Sequence, residues 1–101
     1  MQLNEFELIE SIQSGNLSVC IIGIGRIGLP TALSFANSGL PTVGVDINSK
    51  LVEMINSKIF PLKDEPGYDV IFDKVINEKF SASTKIEEIV PISDIIILSL
   101  P

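Results

Sequence analysis

The chain has 101 residues, a net charge of −6 and a pI near 4.4, so it is one small domain with a single core, and its acidity excludes nucleic acid, whose phosphates need a basic footprint. An apolar share of 46% and a mean hydropathy of +0.43 suit an α/β domain with a buried sheet, yet no apolar run reaches the length that spans a bilayer. Histidine is absent, which removes imidazole acid–base chemistry and leaves no credible metal site.

The polar, acidic N-terminus is not a signal peptide, and the chain is expected in the cytoplasm. Residues 1–16 read as an N-terminal helical extension: Asn4 is placed as N-cap, Glu7 at the third position, and Phe6, Ile9 and Ile12 fall at helical spacing. Ser14-Gly15-Asn16 closes that segment. Residues 17–101 form the domain proper.

Val19 to Ile22 read as a central parallel strand buried on both faces, and its single cysteine, Cys20, as a buried thiol rather than a nucleophile. The strand runs into Gly23-Ile24-Gly25-Arg26-Ile27-Gly28, a Gly-x-Gly-x-x-Gly turn. Gly23 permits the tight turn, Gly25 lets the backbone approach a ligand, and Gly28 lets the next helix pack against the strand. Leu29, Ala32, Leu33 and Ala36 carry that helix, Pro30 is tolerated in its first turn, and Gly39 caps it. The helix start, with its unpaired N–H groups and positive dipole end, is a place for a pyrophosphate.

Thr42 to Asp46 read as the second strand, and Asp46 stands eighteen residues beyond Gly28. At that spacing its carboxylate accepts hydrogen bonds from adenosine ribose hydroxyls and repels a 2′-phosphate, so the expected cofactor is NAD, not NADP. The cofactor-binding set is Gly23, Ile24, Gly25, Arg26, Ile27, Gly28, Asp46, Ile47, Leu100 and Pro101. Asn48 caps a helix carrying Leu51, Val52 and Ile55. Residues 58–67 form an ordered connection rich in proline, and Tyr68, Ile71, Phe72 and Val75 resume helical spacing.

Phe80 to Ser83 read as a third strand, Thr84 to Glu87 as a capping box opening a brief helix that Pro91 breaks, and Ile95 to Leu100 as a last strand buried on both faces. Right-handed crossovers then give a Rossmann-type α/β fold: a parallel sheet in the order 3-2-1-4 with helices on both faces, the first half of a doubly wound fold. Its last strand is left as an apolar edge, so the chain is expected to be a fragment of something longer.

Four stretches carry a resemblance to the UDP-glucose/GDP-mannose 6-dehydrogenase family, and most to the NAD-binding domain of its UDP-N-acetyl-D-mannosamine dehydrogenase branch. They are Gly23 to Pro30, Val45-Asp46-Ile47-Asn48 with Val52 and Asn56, Pro61 to Gly67, and Ser81 to Thr84 leading to Asp94 to Pro101. The Glu-Pro-Gly loop at Glu65 is the most specific of these. Arg26 stands where the family has tyrosine, and two placements are open: a cation near the pyrophosphate, or a side chain in solvent. Lys50 falls one place early for the family's basic residue, the loop before Glu65 has one residue more than the commonest spacing, and Tyr68 replaces leucine.

The resemblance implies an NAD-dependent oxidation of a UDP-sugar C6 alcohol to a carboxylate by a homo-oligomer, through a cysteine-bound intermediate. The catalytic cysteine, lysine and asparagine of the family belong to later parts of its sequence, so no catalytic residue is assigned here. Two other readings share the glycine turn. One is a stand-alone NAD-sensing module of the potassium-transporter type, against which the Pro61–Gly67 loop speaks. The other is an NADP-preferring β-hydroxyacid dehydrogenase, against which Asp46 speaks.

Overall fold

The computed structural model describes residues 17–62 and 65–99. The expected helix within residues 1–16, and the cofactor residues Leu100 and Pro101, lie outside the described residues. Four strands, β1 (Val19–Ile22), β2 (Thr42–Val45), β3 (Phe80–Ser83) and β4 (Ile95–Leu98), pair in parallel in the order β3-β2-β1-β4. The expected topology is therefore the observed one. The register sets Ile22 beside Val45 on one side and beside Leu98 on the other, so the carboxyl ends of β1, β2 and β4 are level.

Helix α1 (Gly28–Asn37) links β1 to β2, and α2 (Ser49–Asn56) with α3 (Tyr68–Val75) links β2 to β3. Leu29, Ala32, Leu33 and Ala36 of α1 are all buried, as their spacing requires. The helix ends as its glycine predicts. Gly39 takes a φ of +97°, and the Leu40 N–H reaches back to the Phe35 carbonyl at 3.2 Å. Asn48 caps α2, its side chain accepting from the Leu51 N–H at 3.1 Å.

Alternation along the strands divides the sheet into two faces. Val19, Ile21, Phe80 and Ala82 meet Leu29, Leu33, Val52, Ile55 and Phe72 in the main core, where the Phe60 and Phe72 rings lie 5.2 Å apart. Cys20 and Val45 are buried on the opposite face. The β3-to-β4 connection crosses there, because it runs counter to the first two and keeps their right hand. It consists of α4 (Ile86–Ile89), packed against β2, and a 3₁₀ turn over Val90–Ile92.

One local expectation fails in this crossover. Thr84 is not the N-cap: Lys85 takes that place without a side-chain bond, and the Ser83 hydroxyl accepts the Lys85 N–H at 3.0 Å instead. The α-helix stops at Ile89, ahead of Pro91, which fits the first turn of the 3₁₀ helix that follows. A second correction concerns β4. It is not buried on both faces: Ile95 and Ile97 pack on the core, whereas Ile96 is 46% and Leu98 69% exposed.

Candidate functional site

The backbone ladder continues past the strand ends and fixes the turn that follows β1. The Gly23 N–H donates to the Val45 carbonyl at 2.8 Å, and the Ser99 N–H to the Ile22 carbonyl at 2.8 Å. Gly23 then turns at a φ of +94°, which favours glycine. A Cβ on Gly28 would fall on the Gly23 carbonyl, so only glycine allows α1 to start this close to β1. Gly25 is the reverse case: a Cβ there would meet nothing within 4 Å. Its backbone faces open space.

That space is a cleft of about 520 Å³, bounded by Gly23, Gly25, Arg26, Ile27, Gly28, Asp46, Ile47, Asn48, Leu51 and Ser99. Its volume lies within the ordinary range of small-molecule sites. Helix α1 begins at the cleft with Ile27 as N-cap, no side-chain cap and no acidic residue in its first turn. What this start offers an anion is its positive dipole end; of its first N–H groups, that of Leu29 already donates to the Gly25 carbonyl at 3.0 Å, and Pro30 has none.

Asp46 occupies the far side. Its Oδ2 accepts the Ile24 N–H at 3.1 Å and its Oδ1 accepts the Asn48 N–H at 2.9 Å, while its own N–H donates to the Ser83 carbonyl at 3.1 Å. Two backbone donors thus set the orientation of the carboxylate. Each oxygen keeps a further lone pair for a ligand hydroxyl.

Of the sequence-predicted residues, Gly23, Gly25, Arg26, Ile27, Gly28, Asp46 and Ile47 come together around this cleft. Arg26 is exposed on its rim. Ile47, 97% exposed, and Ile27 present apolar side chains that suit the flat face of a base. Ile24 differs from expectation. Its side chain is fully buried against Gly44 and the core, and only its backbone N–H serves the site, through Asp46.

Lys50 and Glu65 are not among the residues around the cleft; Glu65 borders a separate hollow with Ile59, Phe60, Pro66 and Asp69. Asn48, Leu51 and Ser99 border the cleft without having been placed in the cofactor set. The signal for Ser99 was the strand order itself, which sets the residue after β4 beside Gly23 at the point where the chain reverses direction across the sheet.

The thiol of Cys20 lies on the opposite face from the core cluster. Burial pushes its pKa above the ordinary value, and a contact with the Ser93 hydroxyl partly opposes the rise. A neutral, buried thiol is a packing group, not a nucleophile. Among the described residues no helix is long and apolar enough to cross a membrane, and no three His, Cys, Asp or Glu side chains group as a metal site.

Comparison with known proteins agrees with this geometry. The sequence model of the UDP-glucose/GDP-mannose dehydrogenase family, NAD binding domain, matches residues 17–101. A UDP-N-acetyl-D-mannosamine dehydrogenase of Campylobacter jejuni is 41% identical over 70 residues, 69% of this chain and 17% of that protein. The structure of a UDP-D-ManNAc dehydrogenase from Pyrococcus horikoshii superposes with a TM-score of 0.76 at 33% identity, over 83% of this chain and 20% of that one. A GDP-mannose dehydrogenase from Pseudomonas aeruginosa shares the fold, with a TM-score of 0.78 at 24% identity over 84% of this chain and 20% of its own. The chain spans less than a fifth of the length of the curated relatives it matches.

Proposed function

The chain belongs to the UDP-glucose/GDP-mannose dehydrogenase family as its NAD-binding domain, and from that premise we propose that the cleft above β1 holds NAD for the oxidation of UDP-N-acetyl-D-mannosamine to its uronate. The sugar is inferred from the names of the relatives; the residues described here act on the cofactor. One observation carries the cofactor reading: an uncapped helix start and a pre-oriented carboxylate border the same cleft.

The residues fit the dinucleotide by their chemistry. The open side of Gly25 admits the pyrophosphate, and the positive end of the α1 dipole stabilises its charge. Asp46 accepts from the ribose hydroxyls and repels a 2′-phosphate. Ile47 and Ile27 exclude water from the base. Bound NAD supplies the hydride acceptor. No side chain here is assigned to the bond-breaking steps, which the proposal gives to other parts of the whole enzyme.

Calorimetric titration of this chain with NAD and NADP tests the reading. NAD is expected to bind at least tenfold more tightly, the scale of one lost charged hydrogen-bond partner at roughly 1.5–3 kcal/mol. Asp46→Ala narrows the gap. Gly25→Val leaves folding intact, because the new side chain meets open space, but fills the cleft and abolishes binding. Equal affinity for both cofactors, or normal binding by Gly25→Val, overturns the assignment.

A further inference from the structure

Asn56 is the last residue of α2, and its side chain makes a pair of hydrogen bonds that a neighbouring strand would otherwise make. Its Nδ2 donates to the Ala82 carbonyl at 2.8 Å, and its Oδ1 accepts the Ala82 N–H at 2.9 Å. Ala82 lies in β3, opposite Gly44 of β2, with its outward peptide groups turned from the sheet. The carbonyl of the next residue, Ser83, takes the Asp46 N–H at 3.1 Å.

The other end of α2 also leads to Asp46. Asn48, its cap, donates its N–H to the Asp46 Oδ1 at 2.9 Å. The main chain of Asp46 is therefore held by β3, and its carboxylate by the start of α2 at Oδ1 and by the Ile24 N–H at Oδ2. The carboxamide of Asn56 ties β3 and α2 to each other. Helix α2 has only eight residues; it buries Val52 and Ile55 fully and packs Leu51 partly on the core, so packing gives it few other anchors.

We propose that Asn56 is a positioning residue for the cofactor: it holds α2 and β3 in the one arrangement that aims the Asp46 carboxylate into the cleft. This deepens the NAD reading and rests on it. Asn56 touches neither the cleft nor, on this proposal, the ligand. It acts through Asp46.

A double-mutant cycle tests the proposal, with NAD affinity and thermal unfolding measured on the same samples. Asn56→Ala is expected to weaken NAD binding roughly three- to tenfold when Asp46 is present, and to weaken it no further in the Asp46→Ala background. A second variant, Asn56→Asp, covers the case in which alanine prevents folding. Its ionised carboxylate opposes the Ala82 carbonyl, but its protonated form restores one donor and one acceptor. Its NAD affinity relative to the parent at each pH is expected to recover as pH falls toward the carboxyl range. Unchanged affinity in Asn56→Ala, an equal loss in both backgrounds, or an Asn56→Asp deficit that does not vary with pH overturns the proposal. An Asp46→Ala chain that binds NAD as the parent does overturns the site reading instead, and the two failures are thereby told apart.

Discussion

The two edges of the sheet are strands of equal length, and the chain treats them in opposite ways. On β3 the outward groups are met from within: Ala82 by the Asn56 carboxamide, and the Phe80 carbonyl by the Asn77 N–H at 2.8 Å. Phe80 and Ala82 also bury their side chains in the core. On β4 there is no strand beyond the edge among the described residues, and Ile96 and Leu98 stay exposed. An unpaired apolar edge invites association, and polar or charged residues ordinarily blunt it. β4 has neither. What differs is side-chain supply. The β2-to-β3 connection supplies Asn56 at the end of α2 and Asn77 in the turn after α3, whereas the crossover to β4 is a single turn of helix and a 3₁₀ turn lying over the sheet interior.

Matched truncations give the largest contrast between the edges. Phe80→Ala removes a fully buried ring and is expected to cost about 3–5 kcal/mol, whereas Leu98→Ala, at an exposed site, costs less than about 0.5 kcal/mol. Urea unfolding of both variants measures this. Similar losses would mean that β4 is as deeply packed in solution as β3.

A charge at the open edge sharpens the comparison from the other side. The isolated chain is expected to self-associate through β4, since the exposed Ile96 and Leu98 side chains each gain up to roughly 1.5–3 kcal/mol on burial. Leu98→Lys should lower the association and leave the unfolding midpoint nearly unchanged, as an edge lysine does in other sheets. Sedimentation of parent and variant checks it. A parent chain that is monomeric at high concentration rules the edge out as a contact.

The smallest expected effect lies on β1, between the edges. Cys20 has a raised pKa when folded, so its proton is held more tightly in the native state than in the unfolded one. The stabilisation is complete below the unfolded thiol pKa, about 8.5, and is lost as pH rises through the folded value. Stability should therefore fall above about pH 8.5, by no more than about 1.4 kcal/mol per pH unit from this group. Cys20→Ala removes that part of the slope. An identical pH profile in the variant would show that the thiol is not the group responsible.

The sequence by itself determined the strands and the glycine turn, because each depends on contacts between near neighbours, and the parallel order followed from the fixed hand of crossovers between alternating strands and helices. A run of four apolar residues reads as a buried strand, and Leu29, Ala32, Leu33 and Ala36 mark a helix face wherever they occur. Gly23, Gly28 and Asp46 were legible for the same reason: their spacing is that of one strand–turn–helix–strand unit. Only the tertiary structure decided what depends on groups distant in the chain. The bond from the Ile24 N–H to Asp46 spans 22 residues, and the clasp of Asn56 on Ala82 spans 26. The same holds for Ile24, which belongs to the core through its side chain and to the site through its N–H alone. Thr84 shows the local version of the limit: the motif for a cap is present, but the helix starts one residue later, with Lys85 at the cap position. Periodicity reports which face of an element is apolar; it carries no record of which polar group, elsewhere in the chain, will meet a given N–H once the elements are packed.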